Sequence, residues 1–84
     1  MSTQATDAMN ALLRDLIRRG GNREAVVWLA AGLGNAIGRF RREPQAAAKA
    51  LSNVRKDAVT LGVATRLDNI IAMIEAPSDP ARQQ

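Results

Sequence analysis

The sequence contains no cysteine, no histidine and no tyrosine. The first absence excludes disulfides and thiolate chemistry. The second removes the usual general base and the commonest metal ligand, and the third removes the phenolic acid. Aromatic side chains are scarce, with one Trp and one Phe in 84 residues. There is no phosphate loop, because Gly32-Leu33-Gly34 lies inside a helical pattern and no Lys-Ser/Thr pair follows it. No apolar run is long enough for a bilayer: the nearly uncharged stretch from Ala25 to Gly38 is too short and carries three glycines. Met1 to Asp7 has neither the basic region nor the apolar run of a signal peptide. The carboxylates Asp7, Asp15, Glu24, Glu43, Asp57, Asp68, Glu75 and Asp79 show no spacing that suggests a catalytic pair, and Asp15 with Arg19 reads as an i, i+4 ion pair. The expectation is therefore a cytoplasmic protein that is not an enzyme, with no metal, no cofactor and no membrane association.

What is present is basic and helical. Lys and Arg number 12 against 8 Asp and Glu, a formal charge of +4. The isoelectric point near 11.1 overstates this excess, since little titrates between the carboxylates and the lysines. A positive balance points toward nucleic acid or an acidic protein as partner. A chain of 84 residues fits one domain. A domain this small buries only roughly 60% of its unfolded surface, so pairing with a second copy would add stability. The domain is expected to span residues 1–76, with residues 77–84 a disordered polar tail.

Four helical segments emerge from the apolar periodicity, and no strand does. The first, from about Thr6 to Arg19, carries Met9, Leu12, Leu13, Leu16 and Ile17 on one face, with Thr6 as the expected N-cap and Gly20-Gly21 as the stop. The second, from about Arg23 to Arg42, has Asn22 as cap and a seam of Val26, Ala30, Leu33, Ile37 and Phe40, with Leu29 and Ala36 widening the same face. Glu43-Pro44 ends it. The third, from about Gln45 to Leu61, has a seam of Ala47, Leu51, Val54, Ala58 and Leu61, closed by Gly62. The fourth, from about Arg66 to Ala76, carries Leu67, Ile70, Ile71 and Ile74, with Thr65 and Asp68 as a capping-box pair. The expected fold is all-α, a small four-helix bundle built around a central antiparallel hairpin of segments two and three.

Three surfaces are candidates for function. On segment two, Trp28 falls opposite the seam, amid Ala31, Gly32, Asn35, Gly38 and Arg39. A face of small residues around the one Trp suits a protein interface, with Trp28 as anchor. The competing reading is a central helix buried on both sides. The second surface is the basic cluster Arg39, Arg41 and Arg42, extended by Lys49, Arg55 and Lys56, which could grip phosphates or an acidic protein. Against it, cations at a helix C-terminus also offset the helix dipole.

The third surface lies between segments three and four. In Ala58-Val59-Thr60-Leu61-Gly62-Val63-Ala64-Thr65-Arg66, a small residue stands four before the turn glycine and a valine follows it. This resembles the turn of DNA-binding helix-turn-helix domains over about twenty residues. The resemblance implies Thr65, Arg66 and Asn69 as base readers. It departs from the family pattern at Asp68, where an apolar residue is usual.

The first functional expectation is a helical protein-binding module, pairing as a homodimer. It would act as a regulator, inhibitor or adaptor by occupying a surface on a larger protein or complex, and a phage or mobile-element origin fits its size. The alternative is a small DNA-binding transcriptional regulator.

Overall fold

The computed structural model describes residues 3–75, and every element among them is an α-helix. These are α1 (Thr3–Arg19), α2 (Arg23–Arg39), α3 (Pro44–Asn53), α4 (Arg55–Leu61) and α5 (Ala64–Glu75). Residue 76 and the tail expected at 77–84 lie outside the described residues.

The largest fully buried side chains come from four of the five helices: Met9, Leu12 and Leu16 from α1, Leu29 and Leu33 from α2, Leu51 from α3, and Leu67 and Ile70 from α5. Each contributes on the order of 1.5–3 kcal/mol by leaving water. Ala36, Ala47, Ala48 and Ala58 fill the places between these large residues. They let α2 lie close along α3, its most extensive neighbour, while α2 also touches α1 and α4. α5 packs on α3, α1 and α4, so the last helix lies beside the first.

Five helices stand where the periodicity gives four, because the third segment is broken at Val54. Its backbone leaves the helical region (φ −110°, ψ 16°), and its N–H turns back to the carbonyls of Leu51 and Ser52. Ser52 and Asn53, weak helix formers, precede the break. α4 then starts again at Arg55, and Ala58 stays on the buried side.

The buried arc of α2 takes in Leu29, Leu33 and Ala36 of the expected face but is shifted away from the rest of the seam. Ala25, Leu29, Gly32, Leu33 and Ala36 are buried, whereas Val26, Ala30, Ile37 and Phe40 are only half-buried. α2 is apolar around most of its circumference, so the sequence pattern has no sharp phase. Within the buried arc, Gly32 lies against Val54 at the break between α3 and α4.

The helix ends divide in the same way between expectation and correction. Asn22 caps α2, its Oδ1 accepting from the Ala25 N–H at 3.0 Å. Gly62 takes the left-handed conformation (φ 76°), and the Val63 N–H reaches the Ala58 carbonyl at 2.8 Å. Together these form a Schellman closure with Val63 and Ala58 both buried. Thr6 caps nothing, because α1 already begins at Thr3. Thr65 lies inside α5, and Asp68 faces Arg55 rather than a helix start. α2 ends at Arg39, leaving Arg41 and Arg42 in the connecting turn. Ile17, expected on the apolar face of α1, is 69% exposed.

A candidate binding groove around Trp28

Because α2 buries only one arc, its remaining apolar residues face outward. Val27 is 58% and Trp28 57% exposed. Trp28 lies where two surface grooves meet. The first, about 360 Å³, runs between α2 and α3. Trp28, Ala31, Gly32, Asn35 and Arg39 form one side, and Ala46, Lys49, Ala50 and Asn53 the other, with Val54 at the end. The second, about 590 Å³, continues from Trp28, Asn53 and Val54 along α4, past Asn22, Glu24, Lys56, Asp57 and Thr60. The indole is thus the shared landmark of one long depression.

The first groove contains two cations and no carboxylate. Arg39 is oriented along it: its Nε donates to Asn35 Oδ1 at 2.9 Å, and its Nη1 to Glu43 Oε1 at 3.1 Å. Lys49 and Lys56 are exposed, as are Arg41 and Arg42 in the turn, and none of the four has an ion-pair partner among the described residues. The first groove therefore offers an apolar anchor, amide groups and one cation, Lys49, without an ion-pair partner among the described residues. That combination suits a segment carrying both apolar and acidic side chains. No group of three or more metal-ligating side chains occurs among the described residues.

The structure sorts the residues singled out from the sequence. Trp28, Ala31, Gly32, Asn35, Arg39 and Lys49 come together in the first groove, and Lys56 lies in the second. Gly32 is buried and forms the floor. Gly38 is exposed but lines neither groove. Thr65 and Asn69 are exposed one turn apart on α5, away from both grooves. Arg66 is half-buried, and its Nη1 donates to Asp15 Oδ2 at 2.7 Å. That hydrogen bond, with the nearby positive charge, holds the Asp15 carboxyl below the usual carboxylate range. Asp15 is thus paired with α5 instead of with Arg19. Arg55 grips Asp68 through two hydrogen bonds of 2.8 Å, which likewise hold the Asp68 carboxyl low.

The α3 wall of the groove was not apparent from the apolar seams. Its signal is present in the sequence all the same: Ala46, Lys49, Ala50 and Asn53 follow the i, i+3, i+4, i+7 spacing of one helical face. No protein-family model, no curated protein and no solved structure matches this chain.

Proposed function

We propose that this protein is a non-catalytic helical binding module that takes an acidic, partly apolar segment of a larger protein into the groove beside Trp28. By occupying that surface it acts as a regulator, inhibitor or adaptor. In this reading α2 and α3 form an antiparallel hairpin, and the groove is the furrow along its outer side. The observation that carries the proposal is the exposure of the chain's one Trp, 57%, at one end of a groove that holds Arg39 and the unpaired Lys49 and no carboxylate. Trp is a frequent binding anchor, and unpaired cations around an apolar centre steer an acidic partner and fix its orientation.

The test is affinity capture with the wild-type chain and with Trp28→Ala and Lys49→Glu variants. Captured proteins are identified by mass spectrometry and then titrated directly while the Trp28 emission is followed. The expected result is one acidic partner that shifts the emission to the blue and is lost from both variants. A partner bound equally well by both variants would overturn the assignment of the groove.

A DNA-binding reading has one specific observation in its favour. α4, the left-handed Gly62 and α5 form a helix-turn-helix with Thr65 and Asn69 exposed on the second helix. It requires Arg66 to exchange Asp15 for a base edge. Salt-sensitive binding to a random duplex that is weakened by Arg66→Ala would favour it over the protein-binding module.

A further inference from the structure

The two grooves that meet at Trp28 differ in the charges they present. The first holds Arg39 and Lys49 and no carboxylate. The second holds two carboxylates, Glu24 on α2 and Asp57 on α4, with one cation, Lys56. Glu24 is exposed and Asp57 half-buried, and neither has an ion-pair partner among the described residues. Arg23 stands next to Glu24 but lines neither groove, and Arg19 borders this end beside Asn22 and Thr60. The second groove is therefore not a field of one sign. What sets it apart is a pair of anionic acceptors, one on each wall, where the first groove has none.

The helices order these groups along the depression. Trp28 and Asn53 line both grooves and so stand at their junction. Glu24 lies one turn from Trp28 along α2, in the second groove, and Lys49 one turn from Asn53 along α3, in the first. One helical turn advances roughly 6 Å, so the carboxylate end and Lys49 are roughly 12 Å apart, with the exposed indole between them.

We infer that the segment bound in this depression is bipolar: an acidic side chain meets Lys49, an apolar one covers Trp28, and a basic one enters between Glu24 and Asp57. The inference rests on the protein-binding reading and deepens it by naming the charge order of the partner. A lysine or arginine at the far end answers both carboxylates and comes within reach of the indole face, which attracts cations. A second acidic side chain there would meet two like charges. The spacing follows from backbone geometry. In an extended segment one face repeats every second residue, about 6.6 Å, so acid, apolar and base stand at i, i+2 and i+4. In a helical segment they stand at i, i+4 and i+8.

The probe is a display library of random peptides long enough to span both grooves, selected on the full wild-type chain and counter-selected on Trp28→Ala. The expected result is a Trp28-dependent set of peptides carrying acid, apolar and base at one of these spacings, in one chain direction. Synthesised singly, such a peptide should bind about threefold to tenfold more weakly to Glu24→Gln/Asp57→Asn, because two exposed charge pairs are lost, and about twofold to fivefold more weakly to Lys49→Met. Replacing the base of the peptide by an uncharged residue should abolish its sensitivity to Glu24→Gln/Asp57→Asn and leave its sensitivity to Lys49→Met, a coupling that a general loss of folding would not produce. Trp28-dependent peptides that are acidic at both ends would overturn the charge order and leave the Trp28 groove standing. So would bipolar peptides that bind Glu24→Gln/Asp57→Asn as tightly as the wild type. An absence of Trp28-dependent peptides would overturn the groove reading and this inference with it.

Discussion

Gly32 and Val54 meet where α2 crosses the break between α3 and α4. A Cβ built at Gly32 would stand 2.7 Å from one Val54 methyl and 3.1 Å from the other. The glycine admits the valine, and the valine marks the end of α3. This close contact joins the groove lining to the division of the third segment.

Gly32→Ala should destabilise the chain by about 1–3 kcal/mol, the usual range for overpacking a close contact. Val54→Ala introduced into the same chain should recover much of that loss, because it removes both methyls. A double-mutant cycle by urea denaturation checks this. Simple additivity of the two changes would show that the contact does not determine the packing.

Asn22→Ala should cost about 1 kcal/mol, since it removes the acceptor for the Ala25 N–H. Thr6→Ala and Thr65→Ala should cost almost nothing, because neither hydroxyl caps a helix. Thermal unfolding of the three variants separates these cases.

Gly34→Ala and Gly38→Ala should each stabilise the isolated chain by up to about 1 kcal/mol, as the added methyl enters open space on a helix. The measurement is denaturant unfolding at high dilution, where any dimer has dissociated. A loss of stability there would mean that both positions are packed within one chain.

The two carboxylates held low by arginine give the acid limb of stability a definite sign. The Asp15 and Asp68 carboxyls titrate below their unfolded values, chiefly through the hydrogen bonds from Arg66 and Arg55. Their contribution is fully present above the ordinary aspartate value of about 3.9 and disappears as pH falls through the lower folded values. Both pairs are half-exposed, so the effect is modest and screened by salt. Stability measured from pH 6 to pH 2 should fall less steeply in Asp15→Asn/Asp68→Asn than in the wild type. Identical slopes would remove these pairs from the acid response.

Trp28→Ala should change stability by no more than about 1 kcal/mol, because more than half of the side chain already faces water. The wild-type emission should be that of a hydrated indole. A blue emission maximum in dilute chain would mean that Trp28 is covered.

The sequence made the helical class, the cap at Asn22, the stop at Gly62 and the core of α5 legible, because each is local: a side-chain acceptor, a left-handed turn, or a sharp apolar period. Three features depended on packing between distant segments. The break at Val54 packs against Gly32, more than twenty positions earlier. The phase of α2 could not be read from a helix apolar on most sides. Arg66 and Asp68 found partners on α1 and α4, which no spacing rule within one helix anticipates. The groove was half legible for the same reason: its α2 wall carries the conspicuous Trp28, whereas its α3 wall is alanine, lysine and asparagine.

The division at Val54 also bears on how the molecule fluctuates. α4 has seven residues, too few to hold a helix alone, since isolated helices shorter than about 12–15 residues are marginal in water. It persists only while α2, α3 and α5 enclose it, so its amides should exchange with solvent ahead of those in the core of α1 or α2. Lys56 and Thr60 on this helix form one wall of the second groove. A segment settling beside Trp28 would quiet the least persistent helix, and slowed amide exchange in Arg55–Leu61 would record its arrival.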